Sequence, residues 1–413
     1  MDITSTKEFV LKKIVFISSN FFPPFYSGKL IISGKRLQDL DPAHFEVVVL
    51  TSGLPQTKRI MKEGNVKTYR SPFLGCGKIS GRLNVVVFWI WSWVKLALEK
   101  NVSVIHFDEI GYFSIPIFHG LGYRLAWAHF TCLAKLAKKR KIPTIFEHAI
   151  SDTNGHFSPD PVKKRFLDQV THIVCVSDAL YRSARIVYPD KTRMIVCGIE
   201  DDLFKPLSQE ARHQIRLENN CGENDVICCF VGLVVRRKGF DMISTIFPEI
   251  CQEFPGCKLW VIGPKDHAES RHIHNDEVEG YQKLLQPVAD QVKFFGNVTD
   301  RQNLARLIAA TDIFLFPTRQ EGFGLAPVEA MACGIPPIIA RIPGVTDLAN
   351  IEGETGLYIT PENSNQFKEA ITLLIKDKAI RERMGKAARQ RIEGDFSWRG
   401  HLEQWVLLYN NGE

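Results

Sequence analysis

Two carboxylates, Glu321 and Glu329, stand eight residues apart in the stretch Phe316-Pro-Thr-Arg-Gln-Glu-Gly-Phe-Gly-Leu-Ala-Pro-Val-Glu-Ala-Met-Ala-Cys-Gly-Ile-Pro336. An ionised carboxylate accepts paired hydrogen bonds from neighbouring hydroxyls, so each suits a sugar or a ribose diol. Between them, Gly322 and Gly324 make a flexible loop rich in amides, and residues 326–332 read as the start of a helix with Pro327 in its first turn. The N–H groups and dipole of a helix start favour a phosphate or a sugar hydroxyl. A single Glu early in a helix does no more than complement the dipole. Two of them around Gly-Phe-Gly at the end of an apolar run point to a ligand.

A second constellation is Val231-Gly-Leu-Val-Val-Arg-Arg-Lys-Gly-Phe240. Gly232 permits close backbone approach, and Arg237 and Lys238 stand beside Gly239, where a helix is expected to begin. Two cations at a helix start form a receptor for a diphosphate. Taken alone, the stretch reads rather as a solvated basic turn. It lacks the G-x4-G-K-[ST] spacing of a Walker loop.

The elements that must position these groups follow an alternating pattern. Ile14–Ile17 is a short β-branched run, followed by the turn-rich loop Ser18 to Gly28, a helical pattern from Leu30 to Leu40 and a second strand at Phe45–Leu50. Further strands are expected near Val102–Phe107, Thr144–Glu147 and His172–Val176, with helical stretches between them. The segment 197–207 is polar and turn-prone, and reads as a linker. A second series then runs through Val226–Val231, Lys258–Ile262, Val292–Phe295, Ile313–Phe316 and Pro337–Ala340. The tail from Asn363 reads as helices, interrupted near Gly394 and resuming at Trp398–Tyr409. The fold class is therefore α/β, with two Rossmann-like, doubly wound domains facing a cleft. Ligands in such sheets bind beyond the carboxyl ends of the strands, where both constellations lie.

Residues 1–200 hold 28 Lys and Arg against 16 Asp and Glu, a balance of +12, while the remainder holds 24 against 30, a balance of −6. The first half favours an anionic partner: a phosphate, an acidic lipid surface or nucleic acid. No nucleic-acid-binding module is recognised. Lys35, Arg36 and the cluster Lys138-Lys-Arg-Lys141 are the cations expected to serve such a contact. Val85 to Leu98 carries Trp89, Trp91 and Trp93, and the next helix, Leu121 to Arg140, carries Tyr123, Trp127 and Phe130. The first stretch is too short to span a bilayer and reads as a helix packed on the sheet, whereas the aromatics and basic end of the second also suit an interfacial helix on anionic lipid. No pair among the ten cysteines forms a CxxC motif, and the N-terminus lacks the pattern of a secretory leader. A cytoplasmic, thiol-reduced chain is expected, with cysteines used as small buried hydrophobes.

The spacing Glu321–Glu329 resembles the E-x7-E motif of retaining glycosyltransferases with the GT-B fold, and its surroundings resemble family four of that class, glycosyl transferases group 1. The similarity covers most of the chain. Phe21-Phe-Pro-Pro-Phe-Tyr-Ser-Gly28 resembles the family's first glycine-bearing loop, Thr171-His-Ile-Val-Cys-Val-Ser-Asp-Ala179 its last N-domain strand and helix start, and Val196 to Pro206 the approach to the linker. Gly296-Asn-Val-Thr-Asp300 resembles its base-binding loop.

The resemblance implies a domain at 1–200 that receives the acceptor, a domain at 201–390 that binds a nucleotide diphosphate sugar, and a C-terminal helix in 391–413 that returns to the first domain. It implies that Glu329 binds ribose, and that Glu321 with the amides of Phe323, Gly324 and Leu325 holds the sugar and distal phosphate. Arg237, Lys238 and the Gly28 amide would face the diphosphate, and Val298 would offer backbone atoms to the base. His148, at the end of a first-half strand, would point toward the reacting carbon. His106 is the weaker candidate, with Asp108 and Glu109 as acceptor contacts.

The implied reaction is metal-independent transfer, with retention, to a glycan, lipid or other hydroxyl, and no cofactor beyond the UDP- or GDP-sugar donor. Leu233 stands where the family usually has Arg, Ser27 where it has the first of two glycines, and Cys197 where it often has Asn. A GT-B epimerase or hydrolase, and a non-catalytic sugar-nucleotide-binding protein, are the alternatives. The presence of both Glu321 and Glu329 argues against the last.

Overall fold

Buried runs of Val, Ile and Phe with turn residues at their ends form strands covered on both faces. The computed structural model describes residues 11–18, 28–55, 57–75, 78–108, 121–148, 157, 159–265 and 275–411. Most of the first loop, residues 19–27, and Glu109 lie outside the described residues.

The first domain comprises β1 (Lys12–Ile17), α1 (Gly28–Gln38), β2 (Phe45–Thr51), β3 (Ile60–Glu63), β4 (Val66–Arg70), α2 (Lys78–Leu98), β5 (Val102–Asp108), α3 (Leu121–Lys139), β6 (Thr144–His148), α4 (Pro161–Leu167), β7 (His172–Cys175), α5 (Asp178–Val187) and β8 (Thr192–Met194). Its sheet runs β3-β4-β2-β1-β5-β6-β7-β8 and is parallel except for β3, which pairs antiparallel with β4. The second domain comprises α6 (Gln209–Glu218), β9 (Val226–Val231), α7 (Phe240–Glu253), β10 (Cys257–Ile262), α8 (Asn275–Leu285), β11 (Val292–Gly296), α9 (Arg301–Ala309), β12 (Ile313–Phe316), α10 (Leu325–Ala332), β13 (Pro337–Ala340), β14 (Leu357–Ile359), α11 (Ser364–Lys376) and α12 (Lys378–Asp395). Its parallel sheet runs β11-β10-β9-β12-β13-β14. In both sheets the order reverses beside the first strand, which opens a crevice at the carboxyl ends of the strands.

The last helix, α13 (Trp398–Asn411), lies on the first sheet, where Trp405, Leu408 and Tyr409 join the core of β1, β2 and α1. The His106 ring stacks on Trp405 with centroids 5.0 Å apart, and its Nδ1 lies 2.8 Å from the Tyr409 hydroxyl. Arg36 is wholly buried against the same helix, its guanidinium 3.8 Å from the Trp405 ring centroid and 2.8 Å from Glu147.

These contacts correct the expectation that Arg36 is a cation displayed to an acceptor. It is a core ion-pair partner, and His106 belongs to the same network. Lys35 is also engaged, bonded to Asp39 at 2.6 Å and lying over the Trp398 ring. Arg140 donates to the carbonyls of Leu96 and Glu99 and so ties down the end of α2. Trp127 and Phe130 are core, packed against Phe107, Phe146 and Phe166. The described cysteines are free, and all but Cys132 are buried. Burial pushes the Cys197 thiol up to about 12.

Candidate functional site

Gly239 makes the junction on which the site depends. Its φ of +79° is left-handed, and a Cβ there would lie 2.0 Å from the Pro317 carbonyl oxygen, so only glycine lets the two chain segments approach. The basic turn Arg236–Lys238 is thereby pressed onto the loop after β12. The Arg319 amide donates to the Arg237 carbonyl at 2.9 Å, and its guanidinium grips both oxygens of Asp241, in the first turn of α7, at 2.8 and 2.9 Å. Sequence reasoning passed over Arg319. Directly after Thr318, it is the staple that holds one loop to the other.

Across this junction the Lys238 ammonium meets the Glu321 carboxylate, both mostly shielded from solvent. Thr318 reaches the same carboxylate at 3.4 Å. Arg237 is exposed and donates to the Gln320 carbonyl at 3.3 Å. Cations and carboxylate from the two constellations thus share one place. Gly324, with φ of +89°, precedes α10 and supplies no capping side chain, so the first amides of that helix keep their donors for another partner. Phe323 turns its ring into the protein, 6.3 Å from Phe396, which leaves only its backbone as a candidate contact.

Gly28 opens α1 on the opposite domain. A Cβ on Gly28 would lie 2.8 Å from Leu325 Cδ1, so the starts of α1 and α10 meet across the cleft. Beside Gly28, Lys29 reaches Asp108 at 2.6 Å, and Asp108 also accepts from Ser18 at 2.8 Å. Asp108 is therefore a buried anchor for the start of α1. Lys29 had no motif to mark it, only its place after Gly28.

Glu329 projects from α10 into a nearly dry setting. Burial raises its pKa, and the charge and hydrogen bond of Arg301 partly offset the rise. Arg301, in the first turn of α9, lies 3.2 Å from Glu329 and 2.8 Å from Glu200, which belongs to the linker between the domains. Its guanidinium also covers the Phe204 ring at 4.9 Å. Val298 is half-buried just before α9. Neither Arg301 nor Glu200 was singled out from sequence; the signal was a cation three residues beyond Val298.

Leu233 is half-buried and packs its side chain against the second domain's core. His148 is fully buried at the end of β6, its ring stacked near Phe146 at 5.9 Å and edge-on to Phe157 at 5.3 Å. The residues that follow it, 149–156, lie outside the described ones.

Residues 211–391 match the family Glycosyl transferases group 1. Spore coat protein SA of Bacillus subtilis (strain 168) is 26% identical over 332 residues, covering 75% of this chain and 84% of the relative. The chain spans about half the length of several further curated relatives that are named as glycosyltransferases. Sucrose-phosphate synthase from Thermosynechococcus elongatus superposes with a TM-score of 0.76 at 22% identity, over 97% of this chain and 98% of that one. Anabaena HepE in complex with UDP and glucose superposes at 0.71 with 17% identity, over 97% of this chain and 100% of the other. The fold is GT-B.

Proposed function

We propose that this chain, whose second domain matches glycosyl transferases group 1 and whose fold is GT-B, transfers a sugar from a nucleotide diphosphate sugar to a hydroxyl acceptor with retention at the anomeric carbon. The observation that carries the reading is the junction of Lys238, Arg237 and Glu321 beside the uncapped start of α10. One cleft wall there offers fixed positive charge, amides and a carboxylate within a few residues of each other. The UDP and glucose in the HepE complex support a nucleotide-sugar donor.

In this reading the diphosphate lies between the starts of α10 and α1, with Arg237 and Lys238 neutralising it. Glu329 accepts the ribose hydroxyls, and the backbone near Val298 borders the base. Glu321 and the amides of Phe323, Gly324 and Leu325 take the sugar. The bond between the anomeric carbon and the phosphate oxygen breaks, its electron pair leaves with the diphosphate, and positive charge builds on the sugar ring. Negative charge grows on the diphosphate at the same moment, where Lys238 and Arg237 stabilise it most. An acceptor oxygen that attacks the face the phosphate leaves gives retention, and its proton passes to the departing phosphate oxygen. Two protein cations supply the charge that a divalent ion supplies elsewhere, so the reaction is proposed to be metal-independent and to survive chelation.

The acceptor is proposed to enter from the first domain, near Lys29 and Asp108. His148, at the end of β6, is proposed to point toward the reacting carbon, and His148→Ala is expected to lower turnover more than donor affinity. The defining experiment is a panel of UDP- and GDP-sugars, scored for release of nucleotide diphosphate with and without chelator. Release by the wild type and loss in Lys238→Gln support the reading. Equal release by both proteins opposes it.

A further inference from the structure

Helix α2 is apolar on two faces. Phe88, Ser92 and Leu96 are buried toward the first sheet. Leu83, Val86, Ile90, Trp93, Val94, Ala97 and Leu98 all turn outward and are exposed, Ile90 to 64% and Leu98 to 71%. At 100° per residue these positions fall within about 140° of arc, a single unbroken stripe. A helix on the surface of a globular domain carries polar side chains on such a face. This stripe carries none over 16 residues, and an exposed apolar patch of that kind marks a docking surface.

Charge identifies the occupant. Helix α2 holds three Lys or Arg and α3 four, and neither helix holds an Asp or a Glu. The helices run side by side, with the Trp89 and His129 rings stacked at 5.9 Å and Ser92 bonded to His129 at 3.1 Å. Arg124, Lys135, Lys138 and Lys139 on α3 are exposed. A second copy of the chain docking here by two-fold symmetry would bring like-charged helices together without one opposing carboxylate. An anionic lipid bilayer meets both requirements: its acyl boundary takes the stripe and Trp93, and its headgroups take the cations. No described helix is long and apolar enough to cross a membrane, so the contact is one of lying on the surface.

We propose that the outward face of α2, with the basic face of α3 beside it, docks the first domain on an anionic lipid bilayer. The sequence-based expectation rested on Lys35, Arg36 and the 138–141 cluster; the structure withdraws Arg36 and Arg140 and puts the apolar stripe at the centre. The proposal stands apart from the donor-site reading, because it is read out by binding and not by turnover.

The test is sedimentation of the full chain with vesicles of phosphatidylcholine alone and of phosphatidylcholine mixed with phosphatidylglycerol. The wild type is expected on the mixed vesicles, with added salt releasing it. The triple variant Ile90→Ser, Trp93→Ser and Leu98→Ser alters only exposed side chains, and is expected to bind at least about tenfold more weakly while its circular dichroism and donor hydrolysis match the wild type. Lys135→Gln with Lys138→Gln and Lys139→Gln is expected to lose the preference for anionic vesicles. Binding that ignores lipid charge, binding that the serine variant retains, or no binding to either vesicle overturns the proposal. A dimer that the serine variant dissolves, in a protein that ignores vesicles, assigns the stripe to a second copy and also overturns it.

Discussion

The guanidinium of Arg301 lies 3.2 Å from the carboxylate of Glu329 and 2.8 Å from that of Glu200, so one cation joins the carboxylate proposed for ribose to the linker between the domains. Burial raises the Glu329 pKa; Arg301 lowers it and Glu200 raises it. Ribose recognition needs the ionised form, so nucleotide affinity is expected to fall as pH drops through the raised Glu329 value. Arg301→Gln removes the lowering influence and moves that acid limb to higher pH. Glu200→Gln removes a raising influence and moves it lower. Calorimetric titration of a nucleotide diphosphate across pH checks both signs; a common shift in one direction would show that the two variants act through packing alone.

Glu329→Ala is expected to weaken nucleotide diphosphate binding by roughly ten- to a hundredfold, the worth of hydrogen bonds to a charged acceptor. Glu329→Gln keeps the shape but not the charge, and is expected to lose most of the same affinity with no change in thermal unfolding. Fluorescence or calorimetric titration of both variants reads this directly.

Lys238 and Glu321 are paired with each other, so their substitutions are expected to differ in kind. Lys238→Gln removes charge that stabilises the leaving diphosphate, and turnover is expected to fall by about a hundred- to a thousandfold with a smaller change in KM. Glu321→Gln releases Lys238. Affinity for the bare nucleotide diphosphate is then expected to hold or tighten, while discrimination between sugars is lost. Parallel titrations with a nucleotide diphosphate and its sugar conjugate separate the two.

The buried pair Arg36–Glu147 carries a stability prediction. Burial would raise the Glu147 pKa, but the Arg36 charge, the His106 hydrogen bond and the Lys29 charge outweigh it, and the carboxyl is held well below its usual range. A carboxyl lowered in the folded state contributes stability that is present above its unfolded value of about 4.3 and is lost as pH falls through the folded value. Arg36→Met leaves Glu147 buried without its main partner and is expected to cost about 3–5 kcal/mol near neutral pH. Thermal unfolding of the variant against pH checks it: the loss should shrink in acid, where Glu147 is protonated.

Much of this architecture was legible in short apolar strands and turn residues, because parallel strands buried on both faces leave that pattern. The strands β3, β4, β8 and β14 were missed: β3, β4 and β8 mix polar with apolar residues, and β14 is only three residues long. At the candidate site, Glu321, Glu329, Arg237 and Lys238 were legible because each stands where a strand gives way to a helix. Arg301 and Glu200 were not: their pairing spans about a hundred residues and exists only once the linker folds against α9. Arg36 read as a surface cation because α13, which covers it, comes from the far end of the chain.

The central claim is tested most directly by proton magnetic resonance of the first sugar product formed from an α-linked nucleotide diphosphate sugar, recorded before mutarotation. The account predicts the α anomer, released together with the nucleotide diphosphate and lost in Lys238→Gln. Appearance of the β anomer first, at a rate that Lys238→Gln leaves unchanged, would contradict it.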